Sequence, residues 1–438
     1  MSGHAGHDMS SMATHDPAST AHALAMKSAL GPYSMAREGS GTSWQPDATP
    51  MQGLHFGADA WALMAHGFAN VIYDRQTGPR GDTKSFTGSM AMLMGNRPLG
   101  PGTWGLRAMV SLDPTMGKSG YPLLFQTGET ADGKEHLVDR QHPHDFLMQL
   151  AASWRRPLAK GFTLTLAGAP VGEPALGPVA FMHRSSAAEN PMSPLGHHTF
   201  DSTHIAMGVL TGAIDKGPWQ VESSIFHGGE PDENRWDLMD PGALDSWSVR
   251  GWYRPTPEWT FQVSHGFLTQ PETLEEGDVY RTTASAAWKI DRPNGTTSLT
   301  LAWGRNDKLG GTYDALLAEM TRAFTNRGSI FWRVESTQVE TDLLRTGVHV
   351  FQGGRKHAHV VESGRRDFVG AVSGGATLTL ARPRGWDMAA GGMVTGYAVP
   401  AALSPFYGTN PFSFQFFVRV RPPAMRRMVD GTMIRMGR

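Results

Sequence analysis

The chain has 438 residues and no cysteine, and its 39 Lys plus Arg against 40 Asp plus Glu leave a formal charge of −1. These numbers exclude thiolate metal sites, disulfides and a Cys nucleophile, and they give no global charge to attract nucleic acid or an anionic membrane surface. Charged residues are only 18% of the chain, yet no run reaches the length of apolar sequence that a membrane-spanning helix needs.

Residues 1–58 read as a His/Met-rich leader followed by a pre-barrel segment. His4, His7, Met9, Met12 and His15, then His22 and Met26, lie in Gly/Ser/Ala-rich sequence without periodicity, which predicts a mobile segment. Imidazole suits Cu(II) and other borderline ions, and thioether suits Cu(I), so this mixture is able to capture copper in either redox state. The plain alternative is a sequence-tolerant linker. The start lacks the basic and apolar regions of a signal peptide, so for an exported protein a cleaved or misassigned signal is expected.

From about residue 59 to 421 the pattern changes to period two. Phe412, Phe414, Phe416, Val418 and Val420 alternate with Ser413, Gln415, Phe417, Arg419 and Arg421, the signature of a strand with one apolar and one largely polar face. The same alternation predicts about sixteen strands of the length a tilted membrane strand needs. They start near Asp59, Ser85, Gly102, Asp145, Gly161, His204, Pro218, Asp245, Glu258, Val279, Thr296, Tyr313, Arg327, Asp367, Trp386 and Pro411. The strand near Tyr313 is the least regular, because Leu316 and Leu317 blur it. Tight Pro/Gly/Asn turns alternate with long polar links, the longest being 113–144, 168–203 and 335–366. Trp104, Trp154, Trp219, Trp259, Trp288 and Trp386 sit beside the tight turns on the apolar face, where amphipathic rings gather at a membrane interface. The fold class expected is therefore all-β: a transmembrane antiparallel β-barrel with short periplasmic turns and long extracellular loops, in contact with outer-membrane lipid. Residues 422–438 form a basic tail in place of a terminal aromatic.

The stretches LGPYSMAREGSGTSWQPD, HGFANVIYDRQTGPRGD, SLDPTMGKSGYPLLFQTGET, DRQHPHDF and GEPALGPVAFMHR together resemble a family of uncharacterised Gram-negative outer-membrane barrel proteins. Those proteins often carry a His/Met-rich leader and tend to be encoded near heavy-metal, especially copper, resistance genes. The resemblance runs from about Leu30 to Pro422. It implies an outer-membrane location and points to metal, without supplying a mechanism.

Two long loops carry the remaining chemistry. DRQHPHDF holds His142 and His144 around Pro143, with Asp139 and Asp145 beside them; LGHHTFDSTH holds His197, His198, Asp201 and His204, with His183 upstream. Extended chain around Pro143 would point both imidazoles of the first stretch to one side. Together the loops offer three or four N/O ligands, enough for zinc or copper. The competing reading is a polar network that pins the loops inside the barrel, with Arg140, Arg184, Asp145 and Glu173 as partners.

Inward positions include Arg107, Arg250, Arg281, Arg333, Glu335 and Arg419, an arginine excess that would favour anionic or zwitterionic solutes if the lumen is open. A lipid-modifying enzyme is a weaker reading: Asp201, Ser202 and His204 along one extended segment cannot line up as a relay, and no Gly-x-Ser-x-Gly elbow is present. The sequence thus supports a porin-like barrel that handles a small solute or metal ion, copper favoured, against a general diffusion porin with structural histidines. Barrels of this size are commonly homotrimers.

Overall fold

The computed structural model describes residues 28–30, 35–49, 51–240, 242–309, 311–325, 327–346 and 364–425. The leader residues His4, His7, Met9, Met12 and His15 and most of the basic tail lie outside them. Sixteen long antiparallel strands form a closed barrel. They are β1 (Trp61–Gln76), β2 (Thr83–Leu99), β3 (Gly102–Val110), β4 (Leu147–Pro157), β5 (Thr163–Gly172), β6 (Ala206–Lys216), β7 (Trp219–His227) and β8 (Ser246–Thr256). There follow β9 (Trp259–Leu268), β10 (Val279–Arg292), β11 (Gly295–Lys308), β12 (Gly311–Phe324), β13 (Gly328–Glu340), β14 (Arg366–Ala381), β15 (Asp387–Ala398) and β16 (Phe412–Arg421).

Closure is by β16 on β1, from Ser413 opposite Gln76 to Val420 opposite Ala69. Below that register, Leu54–Ala58 pairs with residues 61–65 of the same strand. Residues 54–58, expected ahead of the barrel, therefore join its wall.

Each observed strand start falls within two residues of the one expected from alternation. On β16, Phe412, Phe416 and Val418 face outward while Ser413, Gln415 and Arg419 are buried inside. At the short-turn end the aromatic band is real: Trp104 sits opposite Trp154, Trp259 opposite Trp288, and Trp219 stacks on Tyr253 at 4.1 Å between ring centroids. The irregular strand near Tyr313 is β12. Leu316 faces out, and Leu317 turns inward onto Phe200, an apolar side chain delivered by the inserted loop 173–205.

Three segments fill the interior. The pre-barrel segment 35–49 places Glu38 against Arg107, Ser40 against Glu173 and Thr42 against Glu222. Loop 111–146 contains its own hairpin, Tyr121–Thr130 with His136–Gln141, whose Leu123, Leu124 and Phe125 pack among Tyr397, Tyr407 and Phe331. Loop 173–205 ties itself to the far wall.

The six inward residues expected to line a pore all point inward, and there they anchor this plug. Arg250 donates to Glu222 at 2.7 Å and to Glu173 at 3.3 Å. Arg281 donates to Ser202 and to the His198 carbonyl. Arg333 donates to Glu319 and to the Met192 carbonyl, Glu335 accepts from the Leu195 amide, and Arg419 pairs with Glu189 and Asp387. Arg107, Arg250 and Arg419 take carboxylates of the pre-barrel segment and loops, Arg333 pairs with Glu319 of β12, and Arg281 donates to loop oxygens, so these side chains bind plug and wall together. Two cavities beside the plug have only about 30 and 20 Å³, room for a water molecule or two.

A buried ion pair contributes little net stability, but removing one partner strands the other in a dry site. Arg250 is fully buried between Glu173 and Glu222. We expect Arg250→Ala to lower the unfolding free energy by about 3–5 kcal/mol, read as a shifted urea midpoint of the refolded barrel. A change under about 1 kcal/mol, the size typical of an exposed pair, would mean the plug does not depend on this pair.

Candidate metal centre

The two histidine-bearing loops meet inside the barrel, and three of their imidazoles converge. One nitrogen each from His144, His197 and His204 lies within 4.8 Å of the others, and all three residues are buried. The approach follows from chain topology: loop 111–146 ends at β4, loop 173–205 ends at β6, and β5 between them pairs with both.

The other nitrogen of each ring is already committed. His144 donates from Nδ1 to Asp113 Oδ2 at 2.8 Å, His197 from Nδ1 to Asp201 Oδ1 at 2.7 Å, and His204 from Nδ1 to the Asp201 carbonyl at 2.8 Å. Acceptors at all three Nδ1 atoms leave Nε2 with the lone pair. Nε2 of His144 and of His204 are buried without a hydrogen-bond partner. A donor set of three neutral imidazoles, each braced by a carboxylate or carbonyl, is what a transition-metal ion requires.

Electrostatics favour the neutral form at His204. Burial, and then His144 and His197 beside it, hold His204 well below its ordinary range. Burial works against the charge on Asp201, but Arg184 and His197 outweigh it and hold the carboxyl well below the usual carboxylate range. Arg184 in turn donates to Asp201 Oδ2 at 2.8 Å and to Glu319 at 2.7 Å. Asp201 therefore acts as an orienting residue for two rings, while Phe181 packs against His144, His197 and His204.

His142 and His198 belong to an adjoining group. Their rings meet edge to face at 5.4 Å, and His142 donates from Nδ1 to the Pro143 carbonyl while its Nε2 lies 2.9 Å from Glu129. His142 and His144 enter different but adjoining groups, His142 with His198 and Glu129, His144 with His197 and His204, and the two groups touch through His197 and His198. Asp145 is engaged by Arg235 at 3.2 Å instead of joining either group. Among the expected loop-pinning partners, Arg184 and Glu173 do hold loops, whereas Arg140 reaches only Asp82 near the rim. Ser202 Oγ accepts from Arg281 and His204 Nδ1 turns to the Asp201 carbonyl, so no Asp–Ser–His relay forms.

Sequence reasoning missed Asp113, Glu129, Glu230 and Glu272. His198, Glu230 and Glu272 form a second cluster of ligand-type groups, from three different loops. Gly128 takes φ +115 and any Cβ there would meet the His198 ring at 3.1 Å, so this close approach requires glycine. Glu129 next to it holds a left-handed φ of 48°, as do Phe125 and Asp139 at 68° and 57° in the same hairpin; such clustering of strained residues marks functional sites. The legible signal was a long loop, SLDPTMGKSGYPLLFQTGET, dense in Gly and carrying isolated acids.

A comparison with protein-family models finds no match, and a comparison with curated protein sequences finds none either. Solved structures do match. Pseudomonas putida OprB is similar at 10% identity and a TM-score of 0.50, over 83% of this chain and 94% of its own. An anion-selective porin from Comamonas acidovorans is similar at 11% identity and a TM-score of 0.48, over 82% of this chain and 99% of its own. At such identities the likeness to OprB speaks for the barrel fold.

Burial and the neighbouring Glu275 push Glu272 up to about 7, and burial with Glu272 and Glu129 pushes Glu230 well above its ordinary value. The folded state then binds protons that the unfolded state has released, so stability is fully present below the unfolded carboxyl range and is lost as pH rises through about 7. Protease nicking of loop 269–278 should increase between pH 5.5 and 8 in chelator-treated protein, and Glu272→Gln should flatten that rise. Equal nicking at both pH values in the unsubstituted chain would contradict this linkage.

Proposed function

We propose that the chain is a porin-type barrel of the Gram-negative outer membrane whose inserted plug binds a divalent transition-metal ion, Cu(II) or Zn(II), at His144, His197 and His204. The convergence of three buried imidazoles, each with Nδ1 occupied, carries this reading. Three protein ligands leave a coordination position open for water, for a solute group or for transfer of the ion onward. The His/Met-rich leader and the resemblance to barrels associated with metal resistance favour copper as the cargo. Assembly as a homotrimer belongs to the same proposal, on the strength of the sixteen-strand porin-like architecture.

General diffusion is the second reading, supported by that same architecture. The inserted plug argues against it: Arg107, Arg250 and Arg419 are held by carboxylates of the pre-barrel segment and loops, and the two cavities beside the plug are water-sized. Planar-bilayer recordings separate the two. Large, steady conductance without added metal would favour diffusion, and near-silence would favour the plugged metal-handling barrel.

Binding itself is tested by competing the purified full-length chain with a chromogenic chelator for Zn(II) and Cu(II). His197→Asn/His204→Asn should lose one tightly held ion, whatever the leader binds. Asp201→Asn, which keeps the ligands and removes the carboxylate behind His197, should weaken that ion by roughly 10–100-fold. Unchanged stoichiometry in the double variant would reduce the three histidines to a packing network.

A further inference from the structure

One quadrant of the lumen is lined by sulfur. Met35, Met64, Met90, Met92, Met94, Met109, Met148 and Met207 are each at most 4% exposed and form a single cluster with Val171 and Ile205. Eight of its ten buried members are methionine, out of 24 in the chain. Methionine is a common gap-filler in irregular cores, and that would explain a scattered few. The larger apolar cluster elsewhere in the same lumen sets the comparison: of its eighteen buried residues only Met192 and Met393 are methionine, and Leu, Phe and Tyr do the filling. The thioethers are therefore concentrated in one place.

Strand register places them in rows that include two histidines. His66 on β1 is opposite Met92 on β2, and Met92 is opposite Met109 on β3; one step nearer the short turns, Met64 is opposite Met94. His183, delivered from loop 173–205, lies with Nε2 3.3 Å from Met109 Sδ, and its ring is 6.0 Å from that of His66. Among the described residues no ion pair joins a carboxylate to either ring. Imidazole with two or three thioethers, and no carboxylate paired to either ring, discriminates against hard divalent ions and suits a soft monovalent one.

We propose that Met92, Met109 and His183, with His66 at hand, form a binding site for Cu(I), separate from the three-histidine centre. Consecutive residues connect the two: Phe181 packs on His144, His197 and His204, while Met182 packs on the methionine cluster. The soft site thus lies between the three-histidine centre and the short-turn, periplasmic end of the barrel.

Ag(I) serves as a redox-inert probe of this site in the full-length chain, labelled with [¹³C]methyl-methionine. Met92→Leu and Met109→Leu identify the two resonances with little change in core volume. Both resonances should shift on adding Ag(I), remain unmoved by Zn(II), and the double Leu variant should bind one equivalent of Ag(I) fewer. If Ag(I) is taken up while the Met92 and Met109 resonances stay in place, or if the double variant loses no equivalent, the cluster is packing alone and the proposal falls. The signals come from the unsubstituted protein, so a poorly folding variant does not remove the test. Neither result bears on Zn(II) at the three histidines, so the two readings stand or fall separately.

Discussion

Inward-facing charge in a closed barrel is the constraint on which the rest of this structure depends. Sixteen strands enclose a lumen wide enough for water, and alternation obliges every second side chain to face it. Here those side chains include Arg107, Arg250, Arg333 and Arg419, and burial of any of them without an anion would be costly. The loops and the pre-barrel segment supply the anions: Glu38, Glu173 and Glu189. Wall and plug hold one another through Arg107, Arg250 and Arg419, while Arg333 is neutralised within the wall by Glu319. Apolar packing joins loop to wall as well, as where Phe125 stacks on Tyr407 at 4.3 Å.

This arrangement explains how loops far apart in sequence hold a site with fixed geometry. Glu319 on β12 fixes Arg184, Arg184 fixes Asp201, and Asp201 fixes both His197 and His204. On the other side, Asp113 sits on its own short turn, accepts the Ser89 amide of β2 and orients His144. Rings braced from two walls need little rearrangement to receive an ion, so less binding energy is lost to ordering. Buried ion pairs are weak sources of stability but good sources of register, and register is what a three-ligand centre needs.

The wall was legible in the sequence almost residue by residue, because period two is imposed by lipid on one side and polar contents on the other. It blurred where the contents are apolar, as at Leu317 on β12, which packs on Phe200, and it missed that residues 54–58 join the wall. The leader readings fall outside the described residues. The site was legible in part. Its histidines stood out as a local cluster, yet their division into two groups did not, because the partners that separate them, Glu129 and Asp113, lie elsewhere in the loop. Asp113, Glu129, Glu230 and Glu272 were invisible for a different reason. They are spread over three loops, and only the folding of those loops into one lumen sets Asp113 beside His144 and Glu129, Glu230 and Glu272 beside His142 and His198.

The donor chemistry then sorts along the barrel in a direction that the strands define. Carboxylates and imidazoles concentrate at the long-loop end, where Glu230 and Glu272 gather beside His198; three imidazoles lie next to them, and thioethers continue towards Met64 and Met94 near the short turns. The acidic, imidazole and thioether clusters thus follow one another from the long loops towards the short turns, while Glu189 and Asp387 at the short-turn end are taken up by Arg419 and Arg421. A packing explanation accounts for each group separately but not for their order, since Leu or Phe would fill the same volume as Met at least as well. An order of decreasing hardness makes physical sense if a cation exchanges water and carboxylate oxygen for nitrogen, and nitrogen for sulfur, as it leaves the aqueous mouth for the dry interior.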